Sequence, residues 1–311
     1  MSTLSTAVQD YLSLRRRLGF KLREEGTLLP DFVSFLERQG ARHITTELAL
    51  QWALQRPGTL PPHWAVRLRM VRLFATHWSA TDPRTAVPPL GLLPYRYHRK
   101  PPHIYTDDEI LSLIRAAKSL WTWKGLRPWT YATLIGLLAV TGMRAGEVVS
   151  LDRDDVDLGR SILTIRRTKF GKSRLIPVHQ STRRALRRYV DRRDRIYPVP
   201  KTPSFFLSEQ GRRLTWWILR WTFVQLSHQC GLRAPGDRRG PRLHDFRHTF
   251  AVRTILAWYR AGANVEQRIP ELSTYLGHVH VTDTYWYLSA VPELLALAAA
   301  RLENMQGEPC P

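Results

Sequence analysis

Residues 276 to 288 read Leu-Gly-His-Val-His-Val-Thr-Asp-Thr-Tyr-Trp-Tyr-Leu and place His278 nine positions before Tyr287. A tyrosine hydroxyl has a pKa of about 10 in water, so it is a poor nucleophile at neutral pH. It becomes reactive where neighbouring groups stabilise the phenolate and neutralise the charge on the group under attack. Upstream of this stretch the chain carries four residues that could do both, namely Arg144, Lys169, His244 and Arg247. The stretch therefore predicts an active site built around Tyr287.

Each of these upstream residues lies in a short motif. Arg144 belongs to Thr-Gly-Met-Arg-Ala-Gly-Glu, Lys169 to Thr-Lys-Phe-Gly-Lys-Ser-Arg, and His244 with Arg247 to Leu-His-Asp-Phe-Arg-His. The order Arg, Lys, His-x-x-Arg, His and Tyr resembles the catalytic set of the tyrosine recombinase, or phage integrase, family. One such motif occurs by chance in many proteins, whereas agreement of all five in this order is improbable. The resemblance covers the chain well from about Ile104 onward and the first hundred residues loosely.

The resemblance implies an enzyme that cleaves and rejoins DNA strands through a 3′-phosphotyrosine link. Arg144 and Arg247 would bind the nonbridging phosphate oxygens, which gain charge during the attack. His244 and His278 would hydrogen-bond the same phosphate, and His244 would also manage the tyrosine proton. Lys169 would protonate the departing 5′ oxygen. The resemblance implies that no cofactor and no metal ion takes part.

The same residues also have structural interpretations. Arg144 can form an ion pair with Glu147, three residues further on, and such a pair would also orient its guanidinium. His244 can cap a helix or be a buried core histidine. Tyr287 can be an aromatic core residue, although the nine-residue offset from the histidine selects it over Tyr285 as the nucleophile.

Metal binding is an alternative chemistry for the histidines. His244 and His248 have the i, i+4 spacing of one helix face, and His278 and His280 follow downstream, so the four resemble a zinc site. However, no glutamate follows His244 as in the His-Glu-x-x-His motif. The neighbouring arginines would also repel a divalent cation. The sequence therefore favours a phosphate site over a metal site.

The resemblance further implies a site-specific recombinase or integrase that acts on paired double-stranded DNA sites as a homotetramer, through a Holliday junction. The segment from His278 onward is similar to recombinases of transposons and other mobile elements. Other recombinases of the same mobile element could be further partners. Two alternatives are a type IB topoisomerase, which uses similar residues without synapsis, and a catalytically silent relative that only occupies DNA. The intact residue set argues against the silent relative.

Composition supports a nucleic-acid partner. The chain has 311 residues, enough for two domains, and its 47 Lys and Arg against 26 Asp and Glu give a formal charge of +21. That charge favours a polyanion such as DNA over a neutral partner. The two cysteines, Cys230 and Cys310, do not form a disulfide framework or a Cys-based zinc motif. No apolar run is long enough to cross a bilayer, so we expect a cytoplasmic, nucleoid-associated protein without a membrane partner.

The N-terminal part, residues 1–81, has the apolar spacing of four helices. The resemblance implies that these helices form the core-binding domain, which contacts DNA. In the fourth helix, from Pro61, apolar residues share one face, and the other face carries three candidate DNA-binding residues: Arg67, Arg69 and Arg72. Such a face is either solvated or in contact with phosphates. Residues 82–103 are rich in proline and lack an amphipathic period, which predicts an extended linker.

The remaining residues, 104–311, predict an α+β catalytic domain, so the whole chain is expected to be mainly α with a small antiparallel β-sheet. Thr106 to Glu109 form a capping-box pattern, and a buried helix should end at Gly142. Three strands are predicted at 155–158, 161–166 and 174–179. The hairpin between the last two carries Lys169 and Lys172, the second a candidate for DNA binding.

Three later segments should be helical. Ser181 to Arg195 carries seven arginines and predicts a surface helix whose charge is mostly solvated. Trp216 to Gln229 is apolar on most of its circumference and should be core. An apolar helix from Val291 to about Glu303 either packs on its own domain or passes to a neighbouring subunit. Both interpretations of that last helix stay open.

Overall fold

The computed structural model describes residues 3–55, 58–59, 61–94, 101–166, 173–237, 240–287 and 293–294. The chain divides into two compact units, Met1–Lys100 and Pro101–Pro311. The fold is mainly helical with one small antiparallel sheet, which confirms the predicted fold class. Within the described ranges, no helix is both long and apolar enough to span a bilayer.

The first unit consists of four helices around one core. They are α1 (Leu4–Arg17), α2 (Glu25–Arg38), α3 (Thr46–Leu54) and α4 (Pro61–Trp78). Thr45 caps α3, because its hydroxyl accepts the Leu48 backbone N–H at 3.2 Å. Phe32, Trp52 and Phe74 are fully buried in the core, and the ring centroids of Phe32 and Trp52 lie 5.1 Å apart.

The prediction that Arg67 lies on an exposed basic face of α4 was wrong. Its side chain is buried, lies 3.7 Å from the centroid of the Trp52 ring, and donates to the Trp52 carbonyl at 2.8 Å. It is also 4.0 Å from the Asp31 carboxylate. Arg67 is thus part of the core, because its long apolar stem and planar guanidinium pack on an indole. Arg69 is exposed and Arg72 is half-buried, so these two remain on an accessible face.

The chain that follows α4 packs on the first unit as far as Leu93, where the sequence suggested an extended linker. The Ala86 backbone N–H donates to the Ile44 carbonyl at 2.8 Å, and Thr85 is buried. Leu93 packs against the core of the four helices. The first half of the proline-rich segment therefore belongs to the surface of this unit.

The second unit combines eight helices with a three-stranded sheet over the described residues. The strands are β1 (Val156–Asp157), β2 (Ile162–Ile165) and β3 (Arg174–Pro177), in the order β1-β2-β3. Both pairs are antiparallel, with Ile162 opposite Pro177. The helices are α5 (Asp107–Lys118), α6 (Arg127–Thr141), α7 (Ala145–Ser150), α8 (Gln180–Ile196), α9 (Trp216–Gln229), α10 (Asp245–Arg260), α11 (Val265–Leu276) and α12 (Thr282–Tyr285).

Local sequence signals set the ends of α5 and α6. Thr106 and Glu109 form the predicted capping box at the start of α5. α6 ends at Gly142, whose φ of +59° is the left-handed conformation that glycine tolerates. A Cβ at this position would also lie only 2.7 Å from the Phe250 ring. Gly142 therefore allows both the tight turn after α6 and its close approach to α10.

The prediction that α9 is a core helix was wrong for one of its faces. Trp216, Trp217 and Trp221 are 45%, 70% and 59% exposed, whereas Leu219 and Phe223 on the opposite face are buried. A helix at the surface of a domain needs only one apolar stripe for packing. The apolar composition of α9 therefore does not correspond to burial on all sides.

Candidate active site

The site is assembled at the ends of four helices and one strand. Arg144 is the N-cap residue of α7, in the turn that Gly142 makes after α6. Arg247 lies in the first turns of α10. α11 ends at Gly277, and a Cβ there would lie 2.9 Å from Nη1 of Arg174 on β3. The small residue thus lets the chain before His278 approach this guanidinium closely.

Glu147 is a buried carboxylate that holds two arginines in place. Its Oε1 and Oε2 accept from Nη1 and Nη2 of Arg174 at 3.0 and 2.8 Å. Arg144 donates its Nη1 to Oε1 at 2.9 Å, and Arg144 Nη2 donates to the Gly277 carbonyl at 3.2 Å. Burial raises the pKa of Glu147, but the bonds and charges of Arg174 and Arg144 more than offset this, so the pKa is lowered. Glu147 therefore orients Arg144 as an ionised group.

Arg247 is 1% exposed and is held by backbone carbonyls. Nη1 donates to the Gly142 carbonyl at 3.1 Å and Nη2 to the Leu276 carbonyl at 2.8 Å. These bonds tie together the ends of α6 and α11. Burial, followed by the positive charge of Arg144, lowers the pKa of Arg247 to about 10. The guanidinium stays charged at neutral pH beside other cations, which suits an anion site.

His278 lies in the turn after α11, and Thr284 orients its ring. Nδ1 is hydrogen-bonded to the Thr284 hydroxyl at 2.6 Å, and Thr284 is fully buried. The imidazole stacks on the Tyr287 ring with centroids 6.1 Å apart. Burial, then the charges of Arg247 and Arg144, lowers the pKa of His278 to about 4. The ring is therefore neutral at physiological pH.

Tyr287 is 2% exposed and lies in a cluster of apolar residues from α10 and α11. Its ring meets the rings of His248 and Trp286 edge to face, at 5.4 and 5.6 Å. Burial raises the pKa of Tyr287, whereas the positive charge of Arg247 and a hydrogen bond from it act in the opposite direction. The surroundings thus contain the cation that would stabilise a phenolate.

His244 occupies the N-cap position of α10, but its side chain makes no capping hydrogen bond and is exposed. Its ring lies edge to face with His248, at 4.7 Å. Partial burial of the ring, followed by the charge of Arg247, lowers the pKa of His244. Over the described part of the chain, no group of three or more His, Cys, Asp or Glu residues is arranged to hold a metal ion.

The structure brings most of the predicted site residues into one cluster. Arg144, Arg247, His278 and Tyr287 interact with one another, and His244 joins them through His248. Lys169 and Lys172 lie outside the described residues, as does most of the predicted C-terminal helix.

Sequence reasoning assigned no site role to two residues that support the cluster, Arg174 and Thr284, and it considered His248 only as a ligand of the alternative metal site. Arg174 stands at the end of the Lys169 motif, so its position was visible in the sequence. Its partner Glu147 is 27 residues away, however, and nothing in the sequence indicated that pairing. Thr284 lies six residues after His278 and His248 four after His244, and only the fold shows what each contacts.

Comparison with known proteins adds to this geometry. Residues 104–293 match the phage integrase family. The chain belongs to that family. Among its relatives, the integrase/recombinase y4rB of Sinorhizobium fredii (strain NBRC 101917 / NGR234) is 50% identical over 98% of this chain and 98% of its own length. The tyrosine recombinase XerD of Caulobacter vibrioides (strain ATCC 19089 / CIP 103742 / CB 15) is 29% identical over 87% of this chain and 86% of its own length.

Solved structures of an integrase and of a site-specific recombinase share the fold. The Tn1549 transposon integrase in complex with circular intermediate DNA superposes with a TM-score of 0.68 at 18% identity, over 98% of this chain and 100% of that chain. The XerH site-specific recombinase bound to palindromic difH substrate gives a TM-score of 0.63 at 18% identity, over 89% of this chain and 78% of that chain. At this level of identity the likeness concerns the fold.

Proposed function

We propose that this protein is a site-specific DNA recombinase that cleaves and rejoins strands through a 3′-phosphotyrosine intermediate and a Holliday junction. It would act in the cytoplasm as a homotetramer on paired duplex sites, as the integrase of a mobile element. Other recombinases of that element could be further partners. The observation that carries the proposal is the convergence of Arg144, Arg247 and His278 on Tyr287. Membership of the phage integrase family and the charge of +21 support it.

The cluster is suited to phosphoryl transfer because its positive charge exceeds what its carboxylate neutralises. The guanidiniums of Arg144, Arg174 and Arg247 surround Glu147, which bonds to the first two. The pentacoordinate phosphorus of the transition state carries additional negative charge on its nonbridging oxygens, and preorganised guanidiniums stabilise that charge. In the step itself, Tyr287 forms a bond to phosphorus while the bond from phosphorus to the 5′ oxygen breaks.

Access to the cluster requires a rearrangement. Arg247 and Tyr287 are 1% and 2% exposed, so a DNA phosphate cannot reach both in the conformation described. The Tyr287 ring is covered in part by Trp286, His248 and His278. We infer that DNA binding displaces the segment around Tyr287 and opens a path to Arg247.

Covalent trapping tests the proposal directly. The protein is incubated with fragmented DNA from its host, protein is denatured, and fragments that remain attached are sequenced. We expect the wild-type protein and Tyr285→Phe to retain DNA from one defined site, and Tyr287→Phe to retain none while still binding DNA. Adducts that persist in Tyr287→Phe but disappear in Tyr285→Phe would refute the nucleophile assignment.

The products separate recombination from the topoisomerase alternative. Two plasmids that each carry the recovered site should be joined or exchanged by the recombinase. Relaxation of supercoils without any exchange would instead support a type IB topoisomerase. Sequencing the DNA around the gene tests whether a mobile element encodes the protein.

Lys169, as the proposed general acid, is tested with a modified leaving group. Sulfur in place of the bridging 5′ oxygen departs as a thiolate without a proton. Lys169→Ala should cleave normal DNA very slowly and the sulfur-substituted DNA at close to the wild-type rate. Lys172→Ala should show only a salt-sensitive binding defect on both substrates. Equal slowing of Lys169→Ala on both substrates would leave His244 as the next candidate for the acid.

A chelator tests the metal alternative. We expect cleavage to proceed in excess chelator, because arginines neutralise the phosphate in the proposed mechanism. Loss of cleavage on chelation, restored by zinc, would favour a metal site that includes His244 and His248.

A further inference from the structure

A surface cavity of about 370 Å³ in the second unit is lined by four arginines of α8. The lining consists of Arg183, Arg184, Arg187 and Arg188 together with Leu158 and Gly159 from the turn between β1 and β2. None of these residues belongs to the Tyr287 cluster. The cavity is therefore a separate, strongly basic feature, here called the α8 arginine face.

The arginines of this face differ from Arg192 and Arg193 on the same helix. Arg193 is buried and donates to the Ser204 carbonyl at 2.8 Å, and Arg192 donates to the Gly125 carbonyl at 3.1 Å. Among the residues that the structure describes, the four cavity arginines form no ion pair and no side-chain hydrogen bond. Their donors are thus available to a ligand.

The position of the face is fixed by the core beneath it. Leu186, Tyr189 and Val190 are buried on the inner side of α8, which sets the rotation of the helix. The cavity arginines stand at i, i+1, i+4 and i+5, so they form two pairs four residues apart, about 6 Å along the axis. Like charges at this spacing destabilise a helix. A bound anion would remove that repulsion.

We propose that the α8 arginine face binds the phosphate backbone of a DNA segment outside the segment held at Tyr287. This inference rests on the proposed function only in taking DNA as the substrate. Guanidiniums bind phosphates without the help of apolar contacts. Contacts between cationic side chains and phosphates dominate the affinity of proteins for duplex DNA. A protein partner would need apolar or aromatic anchors, but the only apolar side chain in the lining, Leu158, is itself buried.

The test compares two variants with the same net charge. In the first, Arg183, Arg184, Arg187 and Arg188 are all changed to Gln, which keeps helix propensity. In the matched control, four exposed arginines outside the cavity are changed to Gln: Arg115, Arg195, Arg212 and Arg268. The affinity of each full-length protein for a long random-sequence duplex is measured over a range of salt concentrations.

For the α8 variant we expect a less steep plot of the logarithm of the association constant against the logarithm of the salt concentration. The slope should decrease by about 0.9 for every phosphate contact removed, and by up to about 3.6 if all four arginines bind. In the control variant the slope should decrease by less than half as much as in the α8 variant. An unchanged slope in the α8 variant, or an equal loss in the control, would overturn the proposal. So would a defect confined to phosphatidylserine vesicles or polyglutamate, which would identify a membrane or an acidic protein as the occupant.

The outcome is independent of the strand-cleavage chemistry. Covalent adducts at the recovered site are measured at saturating DNA, where we expect the α8 variant to match the wild type. If the wild-type protein forms no adduct, the proposed function fails, and the difference in salt dependence still decides whether the α8 arginine face binds DNA.

Discussion

Each unit of the molecule buries an arginine that the sequence offered as a phosphate contact, and the two lie in opposite electrostatic surroundings. Arg67 in the first unit packs on the Trp52 ring, donates to a carbonyl and lies 4.0 Å from the Asp31 carboxylate. Arg247 in the second unit donates to two carbonyls and has Arg144 beside it, so its pKa is lowered to about 10. Burial alone therefore does not distinguish a structural arginine from one proposed to bind phosphate.

The difference lies in whether the fold itself compensates the charge. A buried cation is tolerated when a carboxylate or an aromatic face accompanies it. Arg67 has both, so the first unit needs no ligand there. Around Arg247 the carboxylate of Glu147 already bonds to Arg144 and Arg174, which leaves an excess of positive charge. An excess of charge held by rigid carbonyl bonds is what a binding site for an anionic transition state requires.

Among substitutions of these two arginines, we expect the largest effect from replacing Arg247, and we expect it on the rate of strand cleavage. Arg247→Lys should keep a positive charge but lose one of the two carbonyl bonds and the planar contact to phosphate. We expect the single-turnover rate of adduct formation to fall by about 10²- to 10³-fold, while DNA affinity changes little. Arg67→Lys is the matched control and should cleave at the wild-type rate. A similar fall in the rate of adduct formation in both variants would contradict the distinction between a structural Arg67 and a phosphate-binding Arg247.

The next effect is on stability and concerns Arg67. Arg67→Ala removes the stem that covers Trp52 and leaves the Trp52 carbonyl without this donor, so we expect a loss of about 2–3 kcal/mol. Arg67→Met keeps most of the packing and should lose less. Urea denaturation of the full chain measures both. If Arg67→Ala unfolds at the wild-type urea concentration, the arginine does not stabilise the first unit.

Features governed by neighbouring residues in the sequence were predicted correctly. The Thr106 capping box and the end of α6 at Gly142 each depend on a few adjacent residues. The antiparallel strands also appear in the predicted order, because the alternation of apolar residues and the intervening hairpin are local signals.

Features governed by contacts between distant segments were not predictable in the same way. The sequence pattern of α4 placed Arg67 on the solvent side, but Trp52 of the neighbouring helix covers it. The apolar pattern of α9 did not reveal that Trp217 faces solvent. The support that Arg174 gives to Glu147 depends on strand β3 lying beside α7, which no local pattern specifies.

A smaller effect concerns pH and the histidines of the cluster. Burial, followed by the charges of His244 and Arg242, lowers the pKa of His248 to about 3, against about 6.5 in an unfolded chain. As the pH falls below about 6.5, the unfolded state binds a proton that the folded state does not, so stability is lost by up to about 1.4 kcal/mol per pH unit. Below the folded pKa this loss stops increasing.

Replacement of His248 should flatten that dependence. Its Nδ1 is buried without a hydrogen-bond partner among the described residues, so His248→Phe loses no bond there and keeps the ring contact with Tyr287. Urea denaturation between about pH 7 and about pH 5 should show a shallower loss of stability for His248→Phe and His248→Gln than for the wild type. A wild-type slope in both variants would contradict the assignment of a neutral, buried His248.

The smallest expected effect separates Arg67 from its neighbours on α4. Arg69 is exposed and Arg72 half-buried, so either can reach a phosphate, whereas the donors of Arg67 face Trp52 and Asp31. If the first unit contacts DNA, Arg69→Gln and Arg72→Gln should each lower the log–log salt slope of DNA binding by about 0.9 without a change in stability. Arg67→Gln should do the reverse, because it loses stability and keeps the slope. A lower slope in Arg67→Gln would mean that this arginine leaves its place beside Trp52 when DNA binds, and the contrast with Arg247 would then disappear.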